Sequence, residues 1–203
     1  MKITKIEPQK NQNRVNVYLD NKFAFGTFKE IVCKYNLEKG MDIDETFLED
    51  ILKTEEQQKA NNYSLNLLKY RWRTEKEIRD KLTKKEYDEH IVEETIFYLK
   101  KYDFLNDKRF AETYAREKVE NKKLGNYRIK HELYNKGVSQ EIIDEVLENY
   151  SDNQYERALE IGKKKIKSYK NDDKQAIYRK LGGYLQRRGY SYDCVSRVLR
   201  ELI

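Results

Sequence analysis

The sequence predicts a mainly α-helical protein in which three tandem three-helix repeats form an elongated curved array behind a small N-terminal β-hairpin and helix. From Asp44 onward, apolar residues recur at spacings of three and four, as on one face of a helix. The same apolar pattern returns after 51 and then 52 residues, at Leu82, Leu133 and Leu185. Alternation with a period of two is confined to residues 1–25. These three observations separate a small β subdomain from a helical repeat array.

The alternating segment predicts a β-hairpin. Large apolar residues alternate with other residues over 15–19 and again over 23–25, where Ala24 lies between Phe23 and Phe25, and the polar residues 20–22 form a tight turn. The sheet has either these two strands alone or residues 2–7 as a third strand. Because an isolated hairpin is marginal in water, we expect the helix predicted over residues 27–35 to cover its apolar face.

A second helical stripe over residues 47–52 ends the N-terminal subdomain, which we place at residues 1–52. The following segment, residues 53–62, is almost wholly polar. It fits two alternatives, a solvated continuous helix or a hinge between the subdomain and the repeats.

We place the three repeats at residues 53–105, 106–150 and 151–203. Their middle helices share a pair of apolar positions, which are Ile78 and Leu82, Ile129 and Leu133, and Leu181 and Leu185. Thr74 and Glu77 have capping-box spacing at the start of the first of these helices. Gly137 and Gly189 stand where a left-handed residue ends a helix. Glu86 occupies that place in the first repeat, which leaves open whether its turn has the same geometry.

Composition argues against most catalytic and membrane classes. Hydrophobic and charged residues each make up 38% of the 203 residues, a balance suited to thin helical layers. No apolar run is long enough for a bilayer span or a signal peptide, so we expect a cytoplasmic protein. The two cysteines and the two histidines lack metal-ligand spacing, and no nucleotide-binding loop or nucleophile motif occurs. We therefore expect a non-catalytic protein without a cofactor or metal.

The positive charge is concentrated in the last repeat. Residues 151–203 carry 13 basic and 7 acidic side chains. The difference is +6, which is the net charge of the whole chain. The basic residues are Lys163, Lys164, Lys165, Lys167, Lys170, Arg179, Lys180, Arg187, Arg188, Arg197 and Arg200, with Arg157 and Lys174. They indicate either a phosphate-binding surface with salt-dependent, sequence-independent affinity or a solvated lysine-coated face.

The lone tryptophan, Trp72, lies between Arg71 and Arg73. It is either an exposed hot spot for a partner or, as we favour, a plug between repeats whose flanking arginines extend outward. For the aromatic residues of the second repeat, Phe110, Tyr114 and Tyr127, we expect core packing.

Four segments carry a resemblance to a known family. They are residues 68–78 (LKYRWRTEKEI), 102–111 (YDFLNDKRFA), 125–138 (GNYRIKHELYNKGV) and, at the hairpin, 15–26 (VNVYLDNKFAFG). They resemble the motifs of the RecX family, bacterial regulatory proteins that modulate the RecA recombinase. The chain departs from the family pattern at Asn106, where an acidic residue is common, and at Asn126, where proline is frequent.

The resemblance implies a non-catalytic regulator of homologous recombination and the SOS response. Such a protein binds along the groove of the RecA–single-stranded-DNA filament and modulates, most often inhibits, its ATPase and strand exchange. Implied partners are the RecA nucleoprotein filament and single- or double-stranded DNA, with no membrane, and we expect a monomer. The alternative is a stand-alone helical DNA- or RNA-binding protein, and a third reading is a plain interaction scaffold.

The family motifs and the basic cluster together supply the candidate contact residues for RecA or DNA. They are Arg71, Arg73, Arg109, Arg128, Lys136, Lys163, Lys164, Lys167, Arg179, Lys180, Arg187 and Arg188. Asp107 also matches a family position. For Asp107 the plain alternative is a helix N-cap, and for Arg109 it is a salt-bridge partner.

Overall fold

The computed structural model describes residues 1–203, which fold as ten α-helices and one three-stranded sheet. The strands are β1 (Ile3–Pro8), β2 (Arg14–Leu19) and β3 (Lys22–Phe28), antiparallel in the order β1-β2-β3. The alternative with a third strand is therefore the one found. Asp20 and Asn21 both have positive φ, 47° and 66°, as a two-residue hairpin turn with a right-handed strand twist requires.

The helices follow in chain order. They are α1 (Lys29–Lys34), α2 (Glu45–Tyr70), α3 (Glu75–Thr83), α4 (Glu89–Lys101), α5 (Asp107–Glu120), α6 (Asn126–Asn135), α7 (Gln140–Glu148), α8 (Gln154–Ile166), α9 (Lys174–Arg187) and α10 (Tyr192–Leu202). None of them is long and apolar enough to cross a bilayer. The prediction of a mainly α-helical chain with a small N-terminal sheet is confirmed.

The chain divides into two compact units. The first comprises Met1–Leu67 and Leu82–Lys101, and the second comprises Leu68–Lys81 and Tyr102–Ile203. In the first unit, the sheet, α1 and the start of α2 enclose a core that includes Val17, Ile31 and Ile51. Leu52, which the sequence placed on the same stripe, is 42% exposed, so the buried face of α2 passes through Ile51 but not through its neighbour.

The polar segment 53–62 is continuous helix, since α2 runs 26 residues without a break. It is not merely solvated, because its buried polar residues have partners inside the first unit. Glu55 is buried and accepts hydrogen bonds from the Arg14 guanidinium (2.6 Å), the Thr27 hydroxyl (2.8 Å) and the Phe28 backbone N–H (3.0 Å). These contacts attach the middle of α2 to β2 and β3.

The equivalence of the three middle helices is confirmed by burial. Their paired apolar residues, Ile78 with Leu82, Ile129 with Leu133 and Leu181 with Leu185, are all fully buried. Ser139, Asp173 and Ser191 cap the helices that follow them by accepting backbone N–H hydrogen bonds.

The turns that end the middle helices share one handedness. Gly137 and Gly189 have φ of 84° and 91°, and Glu86 has a φ of 62°. The first repeat therefore adopts the same left-handed turn without a glycine, at the steric cost that a Cβ imposes there.

One prediction about the core of the second repeat is wrong. Phe110 is buried and Tyr114 packs against the core, as expected, but Tyr127 is 65% exposed. Tyr127 lies two residues before Ile129, about 200° around the helix from the buried stripe, so it faces away from the core.

Candidate protein-binding patch and anion-binding cleft

Two surfaces of the second unit gather candidate contact residues. The first, which we call the tryptophan–arginine patch, consists of Trp72, Tyr102, Phe104 and Arg109. All four are exposed, and Trp72 keeps 42% of its surface accessible. That exposure is closer to the hot-spot alternative than to a buried plug.

Arg109 holds the patch together. Its guanidinium lies 4.9 Å from the centroid of the Trp72 ring and 3.5 Å from the carboxylate of Asp103. Asp103 separates Tyr102 from Phe104, whose rings lie 6.4 Å apart. A cation over an indole face is attracted by the ring quadrupole, so the arginine and the tryptophan hold each other in place.

The local sequence before α5 fixes the position of Arg109. The side chain of Asn106 accepts the backbone N–H of Arg109 at 3.0 Å and caps α5. Asp107 instead accepts the backbone N–H of Glu75 at 2.9 Å, at the start of α3. The N-cap of α5 is therefore Asn106 and not Asp107, for which an N-cap was the plain alternative, and Asp107 satisfies the first turn of a neighbouring helix.

Arg71 and Lys136 share one carboxylate. Arg71 donates to Glu77 at 2.9 Å and Lys136 donates to the other oxygen of Glu77 at 2.8 Å. Partial burial alone would raise the pKa of Glu77, but the hydrogen bonds from the two cations lower it. Together with the hydroxyl of Thr74, which donates to the Lys136 carbonyl at 2.6 Å, this network holds α3 against the end of α6.

The second surface is a cleft of about 750 Å³ between the second and third repeats, which we call the lysine cleft. Seven of the side chains that line it are cations and one is a carboxylate. The lining residues are Lys118, Asn121, Lys122, Lys123, Leu124, Arg128, Glu132, Ile161, Lys164, Lys165, Tyr184 and Arg188.

A direct backbone contact joins the two repeats whose residues line the lysine cleft. Gly125 donates its N–H to the Arg188 carbonyl at 2.9 Å, and Tyr127 donates to the Gly189 carbonyl at 3.1 Å. The hydroxyl of Tyr190 adds a hydrogen bond to the Lys123 carbonyl at 2.8 Å, and its burial raises its pKa to about 12. A Cβ on Gly125 would lie only 2.3 Å from the Gly189 oxygen, so the contact requires glycine there.

Two carboxylates neutralise part of the charge. Glu132 accepts from Arg128 at 2.9 Å and from the Tyr114 hydroxyl at 2.8 Å. Burial favours its neutral form, but these hydrogen bonds lower its pKa. At the rim, Glu160 accepts from Lys164 at 2.7 Å and lies 3.8 Å from Lys123. The hydrogen bond from Lys164 is the main cause of the lowered pKa of Glu160.

The aromatic ring in the cleft is covered by cations. The guanidinium of Arg188 lies 5.3 Å from the centroid of Tyr184, and the ammonium of Lys165 lies 5.7 Å from it. Lys165 also lies 5.3 Å from the ring of Tyr169.

Comparison with known proteins covers the whole chain. Residues 1–44 match the regulatory protein RecX N-terminal domain, and residues 60–99, 106–147 and 152–199 match the first, second and third RecX three-helix domains. The regulatory protein RecX of Clostridioides difficile is 42% identical, over 99% of this chain and 95% of the relative. That of Clostridium acetobutylicum is 41% identical, over 98% and 95%. The chain belongs to the RecX family.

Solved RecX structures agree with this fold. A crystal structure of regulatory protein RecX superposes with a TM-score of 0.83 at 30% identity, covering 98% of both chains. The RecX of Lactobacillus salivarius gives a TM-score of 0.68 at 32% identity, covering 73% of this chain and 97% of that one. These relatives are named regulatory proteins.

The predicted contact residues of this RecX chain do not all come together. Arg128, Lys164 and Arg188 line the lysine cleft, whereas Arg109 stacks on Trp72 in the patch. The remaining candidates do not line the lysine cleft; they are Arg71, Arg73, Lys136, Lys163, Lys167, Arg179, Lys180 and Arg187.

Several of these remaining residues are held by local partners. Lys163 lies 3.5 Å from Glu201, and Lys180 forms a 2.7 Å salt bridge with Asp172. The backbone carbonyl of Arg187 accepts from Arg128 at 3.0 Å.

Three of the seven cations that line the lysine cleft were not predicted from the sequence, namely Lys118, Lys122 and Lys123. The second repeat has as many acidic as basic residues, so its net charge hid them. The available signal was the adjacent pair Lys122 and Lys123, which precedes the α6 N-cap at Gly125 by two residues.

Proposed function

We propose that this RecX family member binds the filament of the RecA recombinase on single-stranded DNA and inhibits its ATP hydrolysis and strand exchange. The observation that carries the proposal is the presence of two dissimilar surfaces in one compact unit. The tryptophan–arginine patch has the composition of a protein-binding hot spot, since hot spots in protein interfaces are enriched in Trp, Tyr and Arg. The lysine cleft has the charge of a polyanion site. A nucleoprotein filament offers both kinds of partner.

Inhibition follows from preferential binding to one filament state. A ligand shifts an equilibrium only by the difference between its affinities for the two states. A chain that bridges protein and DNA in one arrangement of the filament therefore opposes the rearrangements of the ATPase cycle. This role requires no catalytic residue. The chain acts as a monomer, and the proposed partner implies a cytoplasmic location.

The test is a pull-down on recombinase filaments, followed by titration of the recombinase ATPase. Trp72→Ala should weaken filament binding about 30-fold, since a hot-spot residue contributes about 2 kcal/mol. The matched control is Tyr192→Ala, which removes another exposed aromatic residue from the same unit and should leave binding within about twofold. If the ATPase activity of the recombinase is unchanged at saturating concentrations of this RecX family member, the proposal is refuted.

The lysine cleft favours one second candidate, a stand-alone DNA- or RNA-binding protein. Its distinguishing result is tight nucleic-acid binding at physiological salt together with no effect on the recombinase ATPase. Equal loss of filament binding in the Trp72 and Tyr192 variants would also argue against a specific protein contact at the patch.

A further inference from the structure

The charge of the lysine cleft calls for an anionic partner. Seven cationic side chains converge on a volume of about 750 Å³, with Glu132 as the one carboxylate among the lining residues. The Lys118 side chain is only 13% exposed, so part of this charge is held away from water. Like charges gathered in a concave site repel one another and raise the local concentration of anions.

The cations come from both repeats, which indicates an extended ligand. Lys118, Lys122, Lys123 and Arg128 belong to the second repeat, whereas Lys164, Lys165 and Arg188 belong to the third. The backbone hydrogen bonds from Gly125 to Arg188 and from Tyr127 to Gly189 hold the two repeats together before any ligand arrives. Such a site suits a chain of regularly spaced charges better than a single small anion.

Tyr184 is the one aromatic residue among those that line the cleft. Proteins that bind single strands through their bases present open aromatic rings. The Tyr184 ring instead has Arg188 and Lys165 over it, at 5.3 Å and 5.7 Å. We therefore expect recognition here to use the charges of the ligand rather than its bases.

We propose that the lysine cleft binds the phosphodiester backbone of a single DNA strand and does not read its bases. The cleft has a volume of about 750 Å³, and a stiff duplex cannot bend both of its backbones into such a space. One strand fits that space, while a duplex could present only one of its backbones. The inference deepens the proposed function by giving the filament's DNA strand a site, and it rests on that function only for the choice of DNA over RNA.

The rim carries a competitor for the same cations. Glu160 accepts from Lys164 at 2.7 Å and lies 3.8 Å from Lys123, so an entering phosphate has to displace it from both lysines. Removing this carboxylate should therefore strengthen DNA binding. A merely solvated lysine surface would show no such dependence on one particular glutamate.

The experiment measures binding of the full chain, without recombinase, to a fluorescent oligothymidine by anisotropy over a range of salt. Parallel arms use an abasic strand of equal length, a duplex, an RNA strand and polyglutamate. We expect the abasic strand to bind within about twofold of oligothymidine, the RNA strand to bind comparably, and the duplex and polyglutamate to bind more weakly. The logarithm of the affinity should fall with the logarithm of salt with a slope near −3 to −5, as about −0.7 per engaged phosphate requires.

Two pairs of variants separate the cleft from general charge. Lys122→Gln with Lys165→Gln should weaken binding at least tenfold and reduce the steepness of the salt slope by about 1.4. Lys10→Gln with Lys39→Gln, two exposed lysines of the first unit, makes the same change in net charge and should have little effect. Glu160→Gln should tighten binding about threefold, while Glu141→Gln, at an exposed position on α7, should leave it unchanged.

The outcomes divide cleanly. The inference is wrong if the abasic strand binds at least tenfold more weakly than oligothymidine. It is also wrong if polyglutamate or the duplex binds as tightly as the single strand, or if the two pairs of lysine substitutions weaken binding equally. If the cleft lysine variant fails to fold, the gain of affinity in Glu160→Gln remains the deciding measurement. Because recombinase is absent, a failure of the proposed filament regulation would leave these results intact, and it would be seen only in the ATPase titration.

Discussion

A single methyl group added at Gly125 should separate the second and third repeats. Gly125 has an ordinary φ of −81°, so Gly125→Ala introduces no backbone strain of its own. Its new Cβ would lie 2.3 Å from the Gly189 oxygen and 2.6 Å from the Tyr190 nitrogen. Both neighbours are backbone atoms, which cannot rotate away as a flexible side chain could.

The expected cost follows from the distance the junction has to open. Relieving the contact to about 3.4 Å requires a movement of about 1 Å, which breaks the hydrogen bonds of 2.9 Å and 3.1 Å that Gly125 and Tyr127 donate. Two net hydrogen bonds at about 1 kcal/mol each, one of them leaving a buried N–H, amount to about 2–4 kcal/mol. Overpacking mutations of this kind cost about 1–3 kcal/mol, which is consistent.

Gly183→Ala is the matched control within the same unit. Gly183 lies inside α9, and its added Cβ would meet only the mobile end of Arg187 at 3.2 Å. Alanine in a helix interior is about 0.5–1 kcal/mol more favourable than glycine, so this variant should gain stability. The same substitution should therefore lower the stability at position 125, where the two repeats meet, and raise it at position 183, inside α9.

The assay combines urea unfolding with hydrogen exchange at the junction. Gly125→Ala should lower the unfolding midpoint and accelerate exchange of the Tyr127 amide, while Gly183→Ala should raise the midpoint. Gly125→Ala should also weaken binding in the lysine cleft, because it moves the two walls apart. A variant as stable as the parent with unchanged Tyr127 protection would refute the close packing of this junction.

Three further predictions concern stability and can be tested by chemical denaturation. Glu55→Ala should cost about 3–5 kcal/mol, because it leaves the partners of a buried carboxylate unpaired; a cost below about 1 kcal/mol would show that the α2 anchor is unimportant. Tyr190→Phe should cost about 1 kcal/mol through loss of the hydrogen bond to the Lys123 carbonyl, and no change would contradict that role. Because the folded pKa of Glu77 lies below the unfolded value near 4.5, its contribution is present above pH 4.5 and lost as the pH falls further. Glu77→Gln should therefore lower the free energy of unfolding at pH 7 and make it decrease less steeply as the pH falls below 4.5. An unchanged decrease of the free energy of unfolding below pH 4.5 would contradict this prediction.

The repeats were predictable because their signals are local. Apolar spacing identifies the buried positions Leu82, Leu133 and Leu185 from short segments, and each belongs to a helix whose ends have recognisable cap residues. A left-handed turn after a helix is likewise marked by Gly137 and Gly189. The first repeat shows that the fold imposes this turn even where the residue does not favour it.

The lysine cleft was not predictable in the same way, because packing rather than sequence distance brings its walls together. Lys122 and Lys165 are separated by 43 positions in the chain and belong to different repeats. Averaged over a repeat, the charge of the second repeat is zero. The exposure of Trp72 also depends on tertiary packing. The same is true of the continuity of α2, because the buried Glu55 of this helix forms hydrogen bonds with residues of the sheet.

The most direct test of the account places a photo-reactive residue in the lysine cleft within an assembled recombinase filament. Lys122 is exposed and lines the cleft, whereas the exposed Lys39 lies in the first unit and serves as the control position. The account predicts cross-links to the DNA strand from position 122 and few from position 39, under conditions in which the recombinase ATPase is inhibited. Inhibition without any DNA cross-link from position 122 would contradict it.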